Sequence, residues 1–201
     1  MIQILISGGW MMIPILLCSL VGVTVVIERL LFFYHSRTIS EGDRMLGLIQ
    51  EGKFTDALSV AEKKPSPLVR VLSSGILNRS DQPEKAMEAT GLAELAAMKR
   101  GLTLLDTIIT LGPLLGLLGT IIGMIDSFGI MAESGLGQPH AVTGGVAEAL
   151  VCTAAGIFVA VTTLVPYNYF LTRVEREAER IELYATRAES ALATVQRTDH
   201  Q

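Results

Sequence analysis

Three long apolar runs dominate the hydrophobic pattern. The first extends from Trp10 to Ile27 and resumes, after Glu28-Arg29, with Leu30-Leu31-Phe32-Phe33-Tyr34. The second covers roughly Leu102 to Ala132, the third roughly Ala141 to Phe170. A bilayer core of about 30 Å is crossed by about 20 helical residues. Each run meets that length, and the second and third exceed it, so those helices tilt or project from the membrane. The runs therefore predict transmembrane helices over residues 10–34, 102–132 and 141–170, with short segments at 1–9 and 133–140.

The polar remainder is helical in pattern. Gly42, Gly52, Pro65, Pro67 and Pro83 punctuate residues 35–101 into helices expected near 43–51, 54–63, 67–78 and 83–101. Asp81 is placed to cap the last of these, with Pro83 in its first turn. That helix is expected to run into the second span without a stop. Leu68, Val69, Val71, Leu72, Ile76 and Leu77 are candidates for a small core. In residues 171–201 an apolar stripe recurs at 4-3 spacing through Val174, Ala178, Ile181, Ala185, Ala188, Leu192 and Val195. It serves either a partner helix in an oligomer or the chain's own polar helices.

Charge gives these elements an orientation. Of the 16 Lys and Arg, 11 lie between Arg29 and Arg100 and five between Arg173 and Arg197. Residues 1–28 and 101–172 hold none. The positive-inside bias makes 35–101 and the tail cytoplasmic, and the N-terminus and the 133–140 link periplasmic. Tyr34, Tyr167 and Tyr169 fall near the inner interface, where amphipathic rings are favoured. The first run has no basic segment before it and no small-residue cleavage pattern, and reads as a retained span rather than a signal peptide. The fold class is an all-α membrane protein with three transmembrane helices and long helical cytoplasmic extensions.

Composition then removes alternatives. The chain has 201 residues, half of them apolar, a net charge of −4 and a mean hydropathy of +0.47. That value averages membrane spans with polar helices. Cys18 and Cys152 sit in apolar runs and read as small buried hydrophobes. His35, His140 and His200 have no ligand spacing, so no metal site is expected. The mild acidity carries no nucleic-acid footprint. Nucleophile elbows, phosphate loops and metalloprotease helices are missing from the sequence. No catalytic residue and no cofactor is expected.

Polar residues inside the spans are the candidate site. Glu148 lies about seven residues into the third run, so about 10 Å deep at 1.5 Å per residue. A charge at the membrane centre costs about 2.5–3.5 kcal/mol on insertion scales, so such residues face a bundle interior or a wet cavity. Glu148 is read as pore-proximal, the alternative being a neutral acid bonded to a neighbouring helix. In a hairpin centred near Leu136, Asp126 falls at a similar depth to Glu148, and Thr120 at a similar depth to Thr153. A lone membrane threonine usually bonds back to its own helix. Asp106 lies near the inner end, at headgroup level. Gly112, Gly116, Gly119 and Gly123 share one face of the second span, and Gly145, Ala149, Cys152, Gly156 and Ala160 one face of the third. Such stripes let membrane helices approach closely. Pro113 is a potential kink.

With those motifs in place, the chain resembles the MotA/TolQ/ExbB proton-channel family, and an ExbB-like member in particular. The likeness rests on Trp10 to Ser19 with Glu28-Arg29, on Leu105 to Met124 around Pro113, Gly119, Thr120 and Gly123, and on Gly145 to Gly156 with Val165-Pro166-Tyr167-Asn168. The resemblance implies a homopentamer around a central pore, with an ExbD-like single-span partner carrying a membrane aspartate. It also implies a TonB-like protein spanning the periplasm, energised by proton flow to drive uptake through outer-membrane transporters. Membrane lipids are the remaining partner; nucleic acid is not one. The family's pore threonines carry over onto Thr120 and Thr153, and its membrane glutamate onto Glu148. Asp126 and Gly112 depart from residues common in the family; Asp126 and Asp106 are candidate accessory carboxylates, with Asp106 read first as an ordinary interfacial one. The competing readings are a TolQ-like motor for envelope constriction, a non-conducting scaffold, and a membrane enzyme, the last disfavoured for want of a nucleophile–base pair.

Overall fold

The computed structural model describes residues 9–35, 40–63, 65–134 and 139–199, with side chains described for 9–33, 41–63, 65–132 and 143–195. Expectations for residues 1–8, for most of the 133–140 link, and for the side chains of Tyr34, His35, His140 and His200 lie outside the described residues. Seven helices occur among the described residues: α1 (Met12–His35), α2 (Ser40–Gln50), α3 (Phe54–Lys63), α4 (Pro67–Leu77), α5 (Pro83–Lys99), α6 (Leu102–Ser134) and α7 (Pro139–Asp199). They divide into two compact units. One holds the chain up to Arg29 together with Gly101–Tyr169; the other holds Leu30–Arg100 and Phe170 onward.

The first unit contains the most apolar parts of α1, α6 and α7, the three helices long and apolar enough to cross a membrane. The most apolar windows of these helices are only 17, 22 and 33% buried. The remainder presents large side chains outward, among them Leu20, Ile121, Ile125, Phe158 and Val165. Apolar surface of that extent is unstable against water and suits lipid or neighbouring subunits. The chain is a multi-pass membrane protein. Inside the unit, Met11, Met12 and Ile15 of the α1 end pack with Ile108, Cys152 and Val159.

The second unit has its own core, built where α2, α3, α4, α5 and α7 converge. Leu68, Val69, Val71, Leu72 and Ile76 are buried in it, whereas Leu77, a sequence candidate, is 67% exposed. The reason is positional: Leu77 is the last residue of α4 and lies off the buried face. Ser66 caps α4, its side chain accepting the Val69 N–H at 3.3 Å, and Pro67 occupies the first turn. Of the tail stripe, Ile181, Ala188 and Leu192 belong to this same core with Ala185 packed against it, and Tyr184 and Ala191 join them. This part of the stripe packs on the chain's own helices. Tyr184 ties α7 to α2 by donating its hydroxyl to Asp43, and Phe33 stacks on Phe170 at 5.6 Å.

Two expectations around α5 are corrected. Its N-cap is Gln82, in a left-handed conformation with no side-chain cap bond, and not Asp81. The helix also does not continue into the second span. It ends at Lys99, Arg100 leaves the helical region with ψ 133°, and Gly101 turns at φ +82° before α6 begins at Leu102. Glycine adopts that φ without the penalty a Cβ brings. A Cβ at Gly101 would also sit 3.2 Å from Val25 Cγ1. α6 and α7, by contrast, run on through Pro113 and Pro166.

Candidate functional site

The site is built on the seam between α6 and α7. A Cβ placed on Gly112 would lie 2.8 Å from the Gly156 carbonyl oxygen, and one on Gly116 2.9 Å from Thr153 Cα and 3.2 Å from the Cys152 oxygen. At Gly123 it would lie 3.0 Å from the Ala149 Cβ. The low numbers of α6 therefore face the high numbers of α7, so the helices are antiparallel and in backbone contact along this seam. Gly119 leaves room for the Cys152 thiol, and Gly145 for the Ser127 hydroxyl. At Gly112, Gly116 and Gly156 glycine allows this close approach, because a larger side chain would meet the opposite main chain.

That approach fixes the two threonines differently. Thr153 Oγ1 donates across the seam to the Gly116 carbonyl at 2.8 Å. Thr120 Oγ1 donates back to the Leu117 carbonyl of its own helix at 2.6 Å. Thr120 stands one turn beyond Gly116, so both hydroxyls border the same stretch of seam. Both threonines are half-buried. A carbonyl can only accept, so each hydroxyl hydrogen is committed and each oxygen offers lone pairs alone.

Two of the three candidate carboxylates come together beside the C-terminal part of α6. Asp126 and Glu148 line one small cavity of about 30 Å³ with Gly9, Trp10, Met11 and Gly123. That volume has room for water. The Glu148 carboxylate lies directly against Gly9, which has φ +67°, where a Cβ would collide with Oε1. Among the described residues Glu148 makes no hydrogen bond. Asp106 is exposed near the other end of α6, outside this cavity. Among the described residues no group of three potential ligands could hold a metal. Gly9 is the residue that reading by helical pattern missed. It precedes α1, and its only sequence signal is the Gly8-Gly9 pair ahead of Trp10.

Comparison with known proteins places this geometry. A profile of the MotA/TolQ/ExbB proton channel family matches residues 63–183, which span α4, α5, α6 and much of α7. The chain belongs to this family. A Synechocystis sp. protein named as an ExbB-like biopolymer transport protein is 33% identical over 190 residues, covering 90% of this chain and 73% of that protein. A second ExbB-like protein of the same organism is 33% identical over 184 residues, 88% of this chain and 87% of the relative. The Tol-Pal protein TolQ of Pseudomonas aeruginosa is 32% identical over 117 residues, 55% of this chain and 51% of its own length. The protein is thus an ExbB/TolQ-like subunit, a channel and motor component rather than an enzyme.

Proposed function

We propose that this ExbB/TolQ-like chain assembles as a homopentamer in the bacterial inner membrane, N-terminus periplasmic and C-terminus cytoplasmic. An ExbD-like single-span partner occupies the pore, and proton flow past it energises a TonB-like protein for outer-membrane transport. Thr120, Thr153 and Glu148 border the proton path, with Asp126 at its outer end and Asp106 near its inner end.

The observation that supports this most is the Thr153–Gly116 hydrogen bond in a seam of backbone contacts. Proton-driven motion needs a titratable carrier, a wet path and an element with two arrangements. With their hydrogens committed to carbonyls, Thr120 and Thr153 accept a hydrogen bond from a protonated partner carboxyl. An ionised carboxylate accepts only, so it draws those hydrogens away from Leu117 and Gly116. Releasing the Thr153 bond loosens the seam, at about 0.6 kcal/mol for an average membrane hydrogen bond. Protonation of the partner and packing of α6 on α7 are coupled in this way.

The similarity to TolQ supports a second reading, a motor for envelope integrity, in which the same subunit drives a TolR-like and TolA-like pair. Affinity purification from native membranes separates the readings. Co-purification of a short single-span protein with a membrane aspartate supports the motor, and the identity of the associated periplasm-spanning protein decides TonB-type or Tol-type. Recovery of the chain with no such partner would leave the scaffold reading standing instead.

A further inference from the structure

Four cations of the second unit lie close in sequence to the long apolar runs. Lys99 and Arg100 close α5 just before Leu102, and Arg173 and Arg176 follow Phe170 on α7. Lys99, Arg100 and Arg176 are exposed and Arg173 is half-buried. The register of α5 and α7 brings them level. Gly91 faces Ile181, where an added Cβ would lie 3.4 Å from the isoleucine Cγ2. Lys99 is eight residues from Gly91 toward the second span, and Arg173 eight residues from Ile181 toward the third. Each is therefore displaced about 12 Å toward the apolar segments.

Among the described residues these charges are not neutralised. Further along the same helices and their neighbours, Arg70 pairs with Glu94 and Arg180 with Glu177. Among the described residues, none of the four boundary cations has a carboxylate within ion-pair distance. Glu175, exposed between Arg173 and Arg176, bonds neither. Beside them runs an apolar flank. Phe33 stacks on Phe170, one turn before Arg173, and this brings the end of α1 alongside, with Leu30 49% and Leu31 66% exposed.

We infer that Lys99, Arg100, Arg173 and Arg176 form a headgroup site for an anionic phospholipid whose acyl chain lies on the Leu30–Leu31 flank. Unpaired cations immediately beyond a span attract anionic lipid, each worth about a fivefold change in binding. The adjoining apolar flank distinguishes a lipid from a free phosphate, which has nothing to place there. This site goes beyond the motor function and is independent of which partner fills the pore.

The test uses the full chain, in its native complex, reconstituted in phosphatidylcholine nanodiscs with a graded fraction of phosphatidylglycerol. Lipid retained through detergent washing is counted by mass spectrometry. Two double variants remove two cations each, Lys99→Gln with Arg100→Gln, and Arg173→Gln with Arg176→Gln. Each should lower the preference for phosphatidylglycerol by about 25-fold at 0.1 M salt. The control Lys85→Gln with Arg187→Gln makes the same charge change 14 residues further from the boundary, about 21 Å along each helix. That is beyond the Debye length of about 10 Å at 0.1 M salt, so the control should retain the wild-type preference. Equal loss in control and boundary variants would reduce the effect to bulk charge and overturn the site. Undiminished preference in both boundary variants would overturn it too, as would equal competition by inorganic phosphate.

Discussion

Gly116→Ala tests the seam on which the functional site stands. The new Cβ would meet three main-chain atoms of α7: Thr153 Cα at 2.9 Å and the Cys152 and Thr153 carbonyl oxygens at 3.2 Å each. Carbon–carbon contacts settle at about 3.5–4.0 Å, so the helices must part by about 0.6–1 Å. No rotamer change relieves this, because the obstacles are backbone. Parting by that amount stretches the Thr153–Gly116 bond from 2.8 Å beyond hydrogen-bond length. Overpacking costs about 1–3 kcal/mol, and the lost bond adds about 0.6 kcal/mol. Replacing helical glycine by alanine returns up to about 1 kcal/mol. The net expectation is a destabilisation of about 1–3 kcal/mol. Gly129→Ala is the internal control, since it lies on the same helix and a Cβ there meets nothing within 4 Å. It should be neutral or slightly stabilising. Reversible unfolding in mixed detergent micelles, followed by circular dichroism, measures both. If the two variants unfold alike within about 0.5 kcal/mol, backbone contact along this seam is not what holds α6 on α7.

Other expectations follow from the same structure. Leu72→Ala empties a fully buried core position and should cost about 2–5 kcal/mol; Leu77→Ala, at an exposed one, should stay within about 0.5 kcal/mol, and equal losses in denaturant titrations would misplace the core. Asp43, by accepting the Tyr184 hydroxyl, holds that phenol above its usual value of 10.0, with burial adding in the same direction. A folded-state value raised in this way gives stability that is complete below about pH 10 and lost as pH rises through the folded value. Wild type should therefore lose stability above pH 10 more steeply than Tyr184→Phe, and parallel pH profiles would deny the bond a role. Gly101→Ala places a Cβ at φ +82° and should cost about 1–3 kcal/mol, checked by the same micelle unfolding. Glu148→Gln keeps the shape beside Gly9 but removes the charge; if gradient-dependent transport in cells is unchanged in both Glu148→Gln and Glu148→Ala, the residue only fills space.

The spans were legible because a membrane crossing writes about 20 apolar residues in a row, a signal that no tertiary context overrides. α4 was legible for a different reason: Pro65 and Pro67 punctuate the chain where it begins, and proline suits a first helical turn. The break between α5 and α6 was hidden because an isolated glycine is tolerated inside helices and both flanks favour helix. Only the packing of Gly101 against Val25 and Arg29 shows why the chain turns there. The cap at Gln82 was hidden because Asp81 is the better capping residue by type and the backbone conformation decided otherwise. In the site, glycine spacing announced a seam but not the partner of each glycine. The depth match of Thr120 with Thr153 did not reveal that one bonds across the seam and the other along its own helix. The shared cavity of Asp126 and Glu148 depends on Gly9 and Trp10 folding over from a distant part of the chain. Helical periodicity carries no information about such an approach.

The central claim is that the α6–α7 seam borders a proton path, and proton flux tests it most directly. The chain is reconstituted with its co-purified single-span partner in liposomes holding a pH-sensitive dye, and flux is driven by a membrane potential. The account predicts partner-dependent proton flux that falls at least about tenfold in Thr153→Val, a near-isosteric change that removes the hydroxyl and leaves assembly intact. Wild-type flux through an assembled Thr153→Val complex would contradict it.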